Sequence, residues 1–315
     1  MLKLGKLEVF TVVSEEGSFS AAAARLHLSQ PAVSRHIQEL ETALGIRLFK
    51  RQRRGVTLTP GGELLREYTE RILWLVREAE GALTDVRQLV VGQVRIGATP
   101  GVSVYLMPGW TRSFTSAYPN LTLGLRTATT SGVIDDLKTG RADLGIVEGE
   151  LDELAVEDVE SVILQAIDLQ LVVGKDHGWW GKGQIEAKAL HEQPFVSRQP
   201  GSRTRVWIDG MLAERDVEPR YVAEFDNPEA IKEAVMDGFG VSILPTYAVA
   251  RERIAGLLWS IPIADMPLRR ELKLIWYTGR PFSPVTRAFL AHLSDSYDRI
   301  APVVPPIAEG VFDET

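Results

Sequence analysis

Leu4, Leu7, Phe10 and Val13 open the chain at helical spacing and predict a first helix over residues 3–13. Gly17-Ser18 breaks it, and Ser18 can cap a short Ala-rich helix from Phe19 to Leu26. Leu28-Ser29-Gln30-Pro31 makes a turn, with Ser29 as N-cap and Pro31 in the first turn of a third helix. That helix sets Val33, Ile37, Leu40 and Leu44 on one face and stops at Gly45. Leu48-Phe49 and Val56-Thr57-Leu58 read as two short strands around the basic tip Arg51-Gln52-Arg53-Arg54-Gly55.

A long helix follows, roughly 62–90. Ile72, Val76, Ala79, Leu83, Val86 and Val90 step by alternating fours and threes, the period of a two-stranded seam. At ~1.5 Å per residue it would be about 40 Å long. One apolar stripe on so long a helix predicts a second copy beside it; a surface helix packed on its own domain is the alternative. From Gly92 strands and helices alternate. Val94–Ile96, a helix near 102–117, Asn120–Arg126, a helix near 131–139 and Ala142–Val147 form a βαβαβ run, hence a parallel sheet. Further strands are expected at 170–173, 221–225, 241–244 and 271–277, and further helices at 203–214 and 228–237. A final amphipathic helix carries Phe289, Leu290, Leu293 and Tyr297, and residues 301–315 read as a loose acidic, Pro-rich tail.

Composition changes this picture in two ways. The 315-residue chain has no Cys, so thiolate metal sites, disulfides and Cys nucleophiles are excluded. Its net charge of -7 argues at first against nucleic acid. Residues 1–60, however, hold nine Lys/Arg against five Asp/Glu, a net +4, which leaves -11 for the remainder. A small basic head precedes a large acidic body, the distribution that matters for nucleic acid. No signal segment and no membrane-length apolar run is read, so a cytoplasmic protein with no membrane partner is expected.

The third helix turns Gln30, Ser34, Arg35 and Gln38 away from its apolar face. Gln can read adenine and Arg guanine in the major groove. Ser18 and Ser20 near a helix start, Pro31 in the first turn, and the arginines Arg51, Arg53 and Arg54 complete the expected contacts, mostly to phosphates. A solvated polar helix face is the bland alternative. The segment from Phe19 through Ile37, with Leu44-Gly45, Leu48-Phe49, Leu58-Thr59-Pro60-Gly61-Gly62, Val94-Arg95-Ile96-Gly97 and Gly238-Phe239-Gly240-Val241-Ser242-Ile243-Leu244-Pro245, resembles the LysR-type transcriptional regulators over residues 2–300.

That resemblance implies an N-terminal all-α winged helix-turn-helix over 1–60 (motif about 19–38) and a linker and dimerisation helix over 61–91. It implies a C-terminal α/β two-lobed effector domain over 92–300, similar to periplasmic solute-binding proteins, with lobe one at 92–162 and 268–300 and lobe two at 163–267. It also implies double-stranded operator DNA, a homodimer and a homotetramer, and RNA polymerase as a partner if the protein activates. A small anionic effector would lie between the lobes, at helix starts that supply free N–H groups. The expected contacts are Thr99, Gly101 and Ser103, then Thr129 and Thr130, then Ser202 and Arg203, then Asn227, with Glu148 facing the same space. Each of these turns could equally be no more than a capped helix start. Glu148 would oppose a bare anion unless Arg203 or Arg205 offsets it.

Three other functions compete. An enzyme lacks support, since no nucleophile elbow, metalloprotease pair, P-loop or dinucleotide fingerprint is present and the five His are scattered. Trp179-Trp180 reads as a packed or partly exposed loop. A solute-binding protein fits poorly with the basic head. A regulator whose pocket is vestigial stays open. No metal or cofactor is expected.

Overall fold

The computed structural model describes residues 2–52, 55–82, 92–151 and 158–303. The chain divides into two compact units, Met1–Asp85 with Thr139–Arg141, and Val86–Lys138 with Ala142–Thr315.

The head begins with α1 (Leu4–Glu16), α2 (Phe19–Arg25) and α3 (Gln30–Leu44). Gly17, at φ 61°, ends α1 in the left-handed conformation that a Cβ disfavours. Ser18 and Ser29 cap α2 and α3 as predicted, accepting from the amides of Ala21 and Ala32. Phe10, Val13, Ala22, Val33, Ile37, Leu40 and Leu48 form the buried core. β1 (Phe49–Gln52) and β2 (Gly55–Leu58) pair antiparallel as the wing. The Phe49 ring packs on Phe10 and Phe19, with centroids 5.4 and 5.8 Å away. Glu41 of α3 accepts the Leu48 amide at 2.8 Å, which ties the approach to the wing back to the helix.

α4 (Pro60–Ala82) starts under a Thr59 cap, whose hydroxyl accepts the Gly62 amide at 3.0 Å. Leu65, Thr69 and Leu73 face inward. Ile72, expected in the seam, packs partly on the head's own core, and Val76 is half-buried. Among the described side chains of α4, the outward apolar ones are Leu64, Tyr68 and Leu75, each more than half exposed. Of the remaining seam positions, the side chain of Ala79 and all of Leu83, Val86 and Val90 lie outside the described residues.

In the body, β3 (Gly92–Ala98) leads to α5 (Pro100–Tyr105) and α6 (Met107–Ala117). The single helix expected near 102–117 is thus two, broken at Leu106. Pro108, in the first turn of α6, has no N–H to bond back to the preceding turn. β4 (Leu121–Thr127), α7 (Thr130–Thr139) and β5 (Leu144–Glu148) follow. β6 (Val159–Gly174) is far longer than the strand expected at 170–173. Then come β7 (Pro194–Arg198), α8 (Arg203–Ala213), β8 (Arg220–Phe225), α9 (Pro228–Met236), β9 (Ser242–Pro245), α10 (Ala250–Ile254), β10 (Leu258–Ile261), β11 (Arg269–Tyr277) and α11 (Pro284–Ser294).

β4, β3 and β5 are parallel, and β11 joins β5 antiparallel. The first part of β6, to Asp168, pairs with β11; from Leu169 onward it pairs with β9 and β10. β7 and β8 form a second parallel pair, linked to the stretch before β9 by a bridge between Phe195 and Val241. β6 therefore runs out of one strand set into the other, and the chain returns beside it where the Leu169 amide bonds the Leu268 carbonyl. These are the two α/β lobes with crossing strands.

Candidate DNA interface and effector cleft

On α3, the core-facing Val33, Ile37 and Leu40 fix which side points outward. Gln30, Pro31, Arg35 and Gln38 are exposed, and Ser34 is partly so. Ser20 is exposed and Ser18 half-buried as the α2 cap. The sequence-predicted face is thus a single accessible surface. The Arg35 side chain is 80% exposed and donates through Nε to Glu39 at 3.0 Å. Arg51 lies in β1 opposite Val56, and its side chain is not described; Arg53 and Arg54 lie outside the described residues. The Val56 amide bonds the Gly17 carbonyl at 2.8 Å, so the base of the wing is pinned to the α1–α2 turn.

In the body, the expected polar side chains divide into two groups. Thr129 accepts the Gly132 amide, Ser202 the Arg205 amide and Asn227 the Ala230 amide, so all three serve as helix caps. Ser103 is bonded by the Thr127 hydroxyl at 2.9 Å. Thr99 differs: its hydroxyl oxygen is buried with no hydrogen-bond partner. Thr130 is buried at the first turn of α7.

Glu148, at the end of β5, does face this region. Its carboxylate accepts a short hydrogen bond from the Tyr247 hydroxyl. A Cβ at Gly101 would stand 2.9 Å from that hydroxyl and 3.5 Å from the Glu148 carboxylate, so the absent side chain is what admits both groups to the start of α5. The protein's own carboxylate therefore occupies the place where an anion was expected. Burial pushes the Glu148 carboxyl pKa up, against the opposing pull of the Tyr247 bond and the Arg270 and Arg198 charges. Burial likewise lifts the Tyr247 hydroxyl well above its usual value.

The charges that act on Glu148 include two cations not named from the sequence, Arg270 and Arg198. Arg205 is held by Asp209 at 2.7 Å and Glu224 at 3.1 Å, and its guanidinium stacks on Tyr221 at 3.7 Å. Arg270 instead donates to the Glu148 carbonyl at 3.3 Å and to the Thr204 hydroxyl at 2.8 Å. Arg203, half-buried, adds to the positive field around it. Arg198 donates to the Asp226 carbonyl at 2.6 Å, while its Nε is buried without a partner. Burial lowers the pKa of both Arg198 and Arg270, with Glu148 pulling the other way. Tyr105 stacks near Tyr247 at 5.9 Å and lies 4.8 Å under the ammonium of Lys232. Arg198, Tyr105, Tyr247 and Arg270 were missed by the sequence reading. A signal existed for Arg270, the cation in register with the apolar face Leu272, Leu274, Trp276; none existed for the others.

Among the described residues no cluster of ligating side chains could hold a metal ion, and no helix is long and apolar enough to cross a membrane. The polar face of α3 beside a wing, followed by a two-lobed α/β body with an interior charged site, defines a DNA-binding transcriptional regulator with an effector-binding domain. Comparison with known proteins gives the family. Residues 4–63 match the bacterial regulatory helix-turn-helix of the lysR family, and residues 87–298 match the LysR substrate binding domain. The chain belongs to the LysR family, whose members are transcriptional regulators and not enzymes.

Relatives include proteins named probable RuBisCO transcriptional regulator. That of Trichormus variabilis is 32% identical over 91% of this chain and 86% of its own. That of Porphyra purpurea is 33% identical over 91% of each. In fold the chain is similar to a full-length OxyR variant of Pseudomonas aeruginosa, with a TM-score of 0.72 and 24% identity over 95% of this chain and 97% of that one. It is also similar to full-length CbnR complexed with its target DNA, with a TM-score of 0.69 and 23% identity over 94% of this chain and all of the other. The regulatory domain of Synechocystis CcmR, in complex with 2-PG, matches 69% of this chain and 99% of its own at a TM-score of 0.59 and 24% identity.

Proposed function

We propose that this regulator reads operator DNA through α3 and the wing, and that a small hydroxylated anion bound between the lobes modulates it. The observation that carries the effector reading is two buried, unpartnered polar atoms: Thr99 Oγ1 at the start of α5, which Glu148 and Tyr247 approach at Gly101, and Nε of Arg198, whose charge acts on Glu148. A buried polar atom without a partner is costly, and a ligand that supplies both partners relieves two such costs at once. The anionic group belongs with Arg198, Arg203 and Arg270, and not at the start of α5, where Glu148 already stands. A ligand hydroxyl would meet Thr99. The CcmR complex with 2-PG and the names of the relatives support a metabolite of carbon assimilation.

A homodimer through α4 fits the exposed Leu64, Tyr68 and Leu75, which step by four and seven along the helix. It would present two recognition helices to two half-sites. Assembly of two dimers into a tetramer, contact with RNA polymerase during activation, and action in the cytoplasm follow the family pattern. Sedimentation of a Leu75→Asp, Leu83→Asp variant is expected to show monomers; an unchanged assembly would refute this contact.

The effector reading is tested by thermal shift with matched panels of carboxylates and phosphates, with and without hydroxyls. A ligand raises stability by mass action. The hydroxylated anions are expected to raise the melting temperature of wild type and not of Arg198→Ala. Stabilisation by neutral compounds alone, retained in Arg198→Ala, would refute it.

A further inference from the structure

The polar face of α3 contains a carboxylate that the reading above leaves unused. Glu39 follows Arg35 by one helical turn. Its Oε1 accepts Arg35 Nε at 3.0 Å, and its Oε2 is 2.9 Å from the Lys6 ammonium on α1. Lys6, Arg35, Gln38, Glu39, Thr42 and Ala43 line one open groove beside the recognition face. Hydrogen bonds from Lys6 first and Arg35 second hold the Glu39 carboxyl below its usual pKa, so it is charged wherever DNA binding is measured.

We propose that Glu39 is a positioning residue that sets base specificity through Arg35. The inference rests on the reading of Arg35 as a base contact and adds how that contact is aimed. An arginine can meet guanine O6 and N7 either through its two terminal nitrogens or through Nε and one terminal nitrogen. Glu39 takes Nε, and so selects the end-on approach. Lys6 fixes the other carboxylate oxygen and keeps the brace itself from swinging. The same negative charge sits beside two cations that would otherwise bind any phosphate, so it lowers sequence-independent affinity. One residue thereby acts on both sides of the specificity ratio. An exposed ion pair of this kind contributes little to folding, so selection for helix stability alone is a weak account of the bridge.

The test uses the full chain and two duplexes of equal length, one selected from a random pool by wild type and one scrambled. Glu39→Ala is expected to lower affinity for the selected duplex by about tenfold, within the range of one bidentate base contact. Affinity for the scrambled duplex is expected to hold or rise, with a salt dependence steeper by up to about one counterion. The loss of base preference is expected at one position only, and Glu39→Gln, which keeps an acceptor for Nε, should retain part of it. In an Arg35→Ala background Glu39→Ala should cost no further discrimination. A structural brace would instead lower affinity for both duplexes together with the melting temperature, and that result overturns the proposal. Unchanged discrimination in Glu39→Ala beside a defective Arg35→Ala overturns this proposal alone. Unchanged discrimination in Arg35→Ala overturns the recognition reading and this inference with it.

Discussion

In the head, Lys6, Arg35 and Glu39 meet in an open groove; in the body, Glu148, Tyr247 and Arg270 meet against packed chain. The two trios have similar chemistry and different costs. Exposed pairs exchange one set of water contacts for another and are worth ~0–1 kcal/mol. Buried groups lose their hydration, so removing one partner costs about 3–5 kcal/mol. The head can therefore hold its charges at the surface, accessible to DNA, at little expense in stability. The body holds its charges in a fixed, buried arrangement.

Backbone substitutions widen this contrast most. Gly149 has φ 88°, and a Cβ there would stand 1.6 Å from a terminal nitrogen of Arg270. Gly149→Ala expels that guanidinium and is expected to destabilise the body by about 3–5 kcal/mol in denaturant unfolding. Gly45, the left-handed cap of α3 at φ 69°, has nothing within 4 Å of its added Cβ. Gly45→Ala should cost only the backbone strain, about 1–2 kcal/mol. Equal losses at the two positions would break the comparison.

The smallest expected effect is one of pH. A carboxyl whose folded pKa is raised adds stability that is full below its unfolded value, near 4.5, and is lost as pH rises through the folded value. Wild type is therefore expected to lose ground to Glu148→Gln as pH climbs from 4.5 toward neutrality. Glu39 has the opposite sign: its pKa is lowered, so its small contribution is present at neutral pH and fades on acidification. Paired melts across pH check both. A Glu148→Gln difference that does not move between pH 4.5 and 7.5 would contradict the burial argument.

The same contrast explains what could be read in the sequence. α3 was legible because its cap, its first-turn proline and its 3.6-residue pattern lie within sixteen residues, Ser29 to Leu44. Local rules also gave the wing and most of the parallel strands. They failed where the partner is distant. The first half of β6 alternates too weakly to stand out, and it is a strand because β11 pairs with it from Val159 to Asp168. The cations near Glu148 come from positions 198 and 270, fifty residues or more away, on strands whose register places them. The helix starts were foreseen correctly, but a start is compatible with a cap or a ligand. Only the structure separated Ser202, already used by the Arg205 amide, from Thr99, whose hydroxyl has no partner.

The expected coupling is that a ligand in the body changes what the head does to DNA. It is tested most directly by fluorescence anisotropy of the selected duplex, with and without the hydroxylated anion that most raises the melting temperature. Coupling of this kind is typically ~5–150-fold in affinity. Wild type is predicted to shift its DNA affinity or its footprint within that range. Arg198→Ala is predicted to bind the duplex as wild type does without ligand and to show no shift. An identical shift in Arg198→Ala, or no change in affinity or footprint in wild type at saturating ligand, would contradict the account.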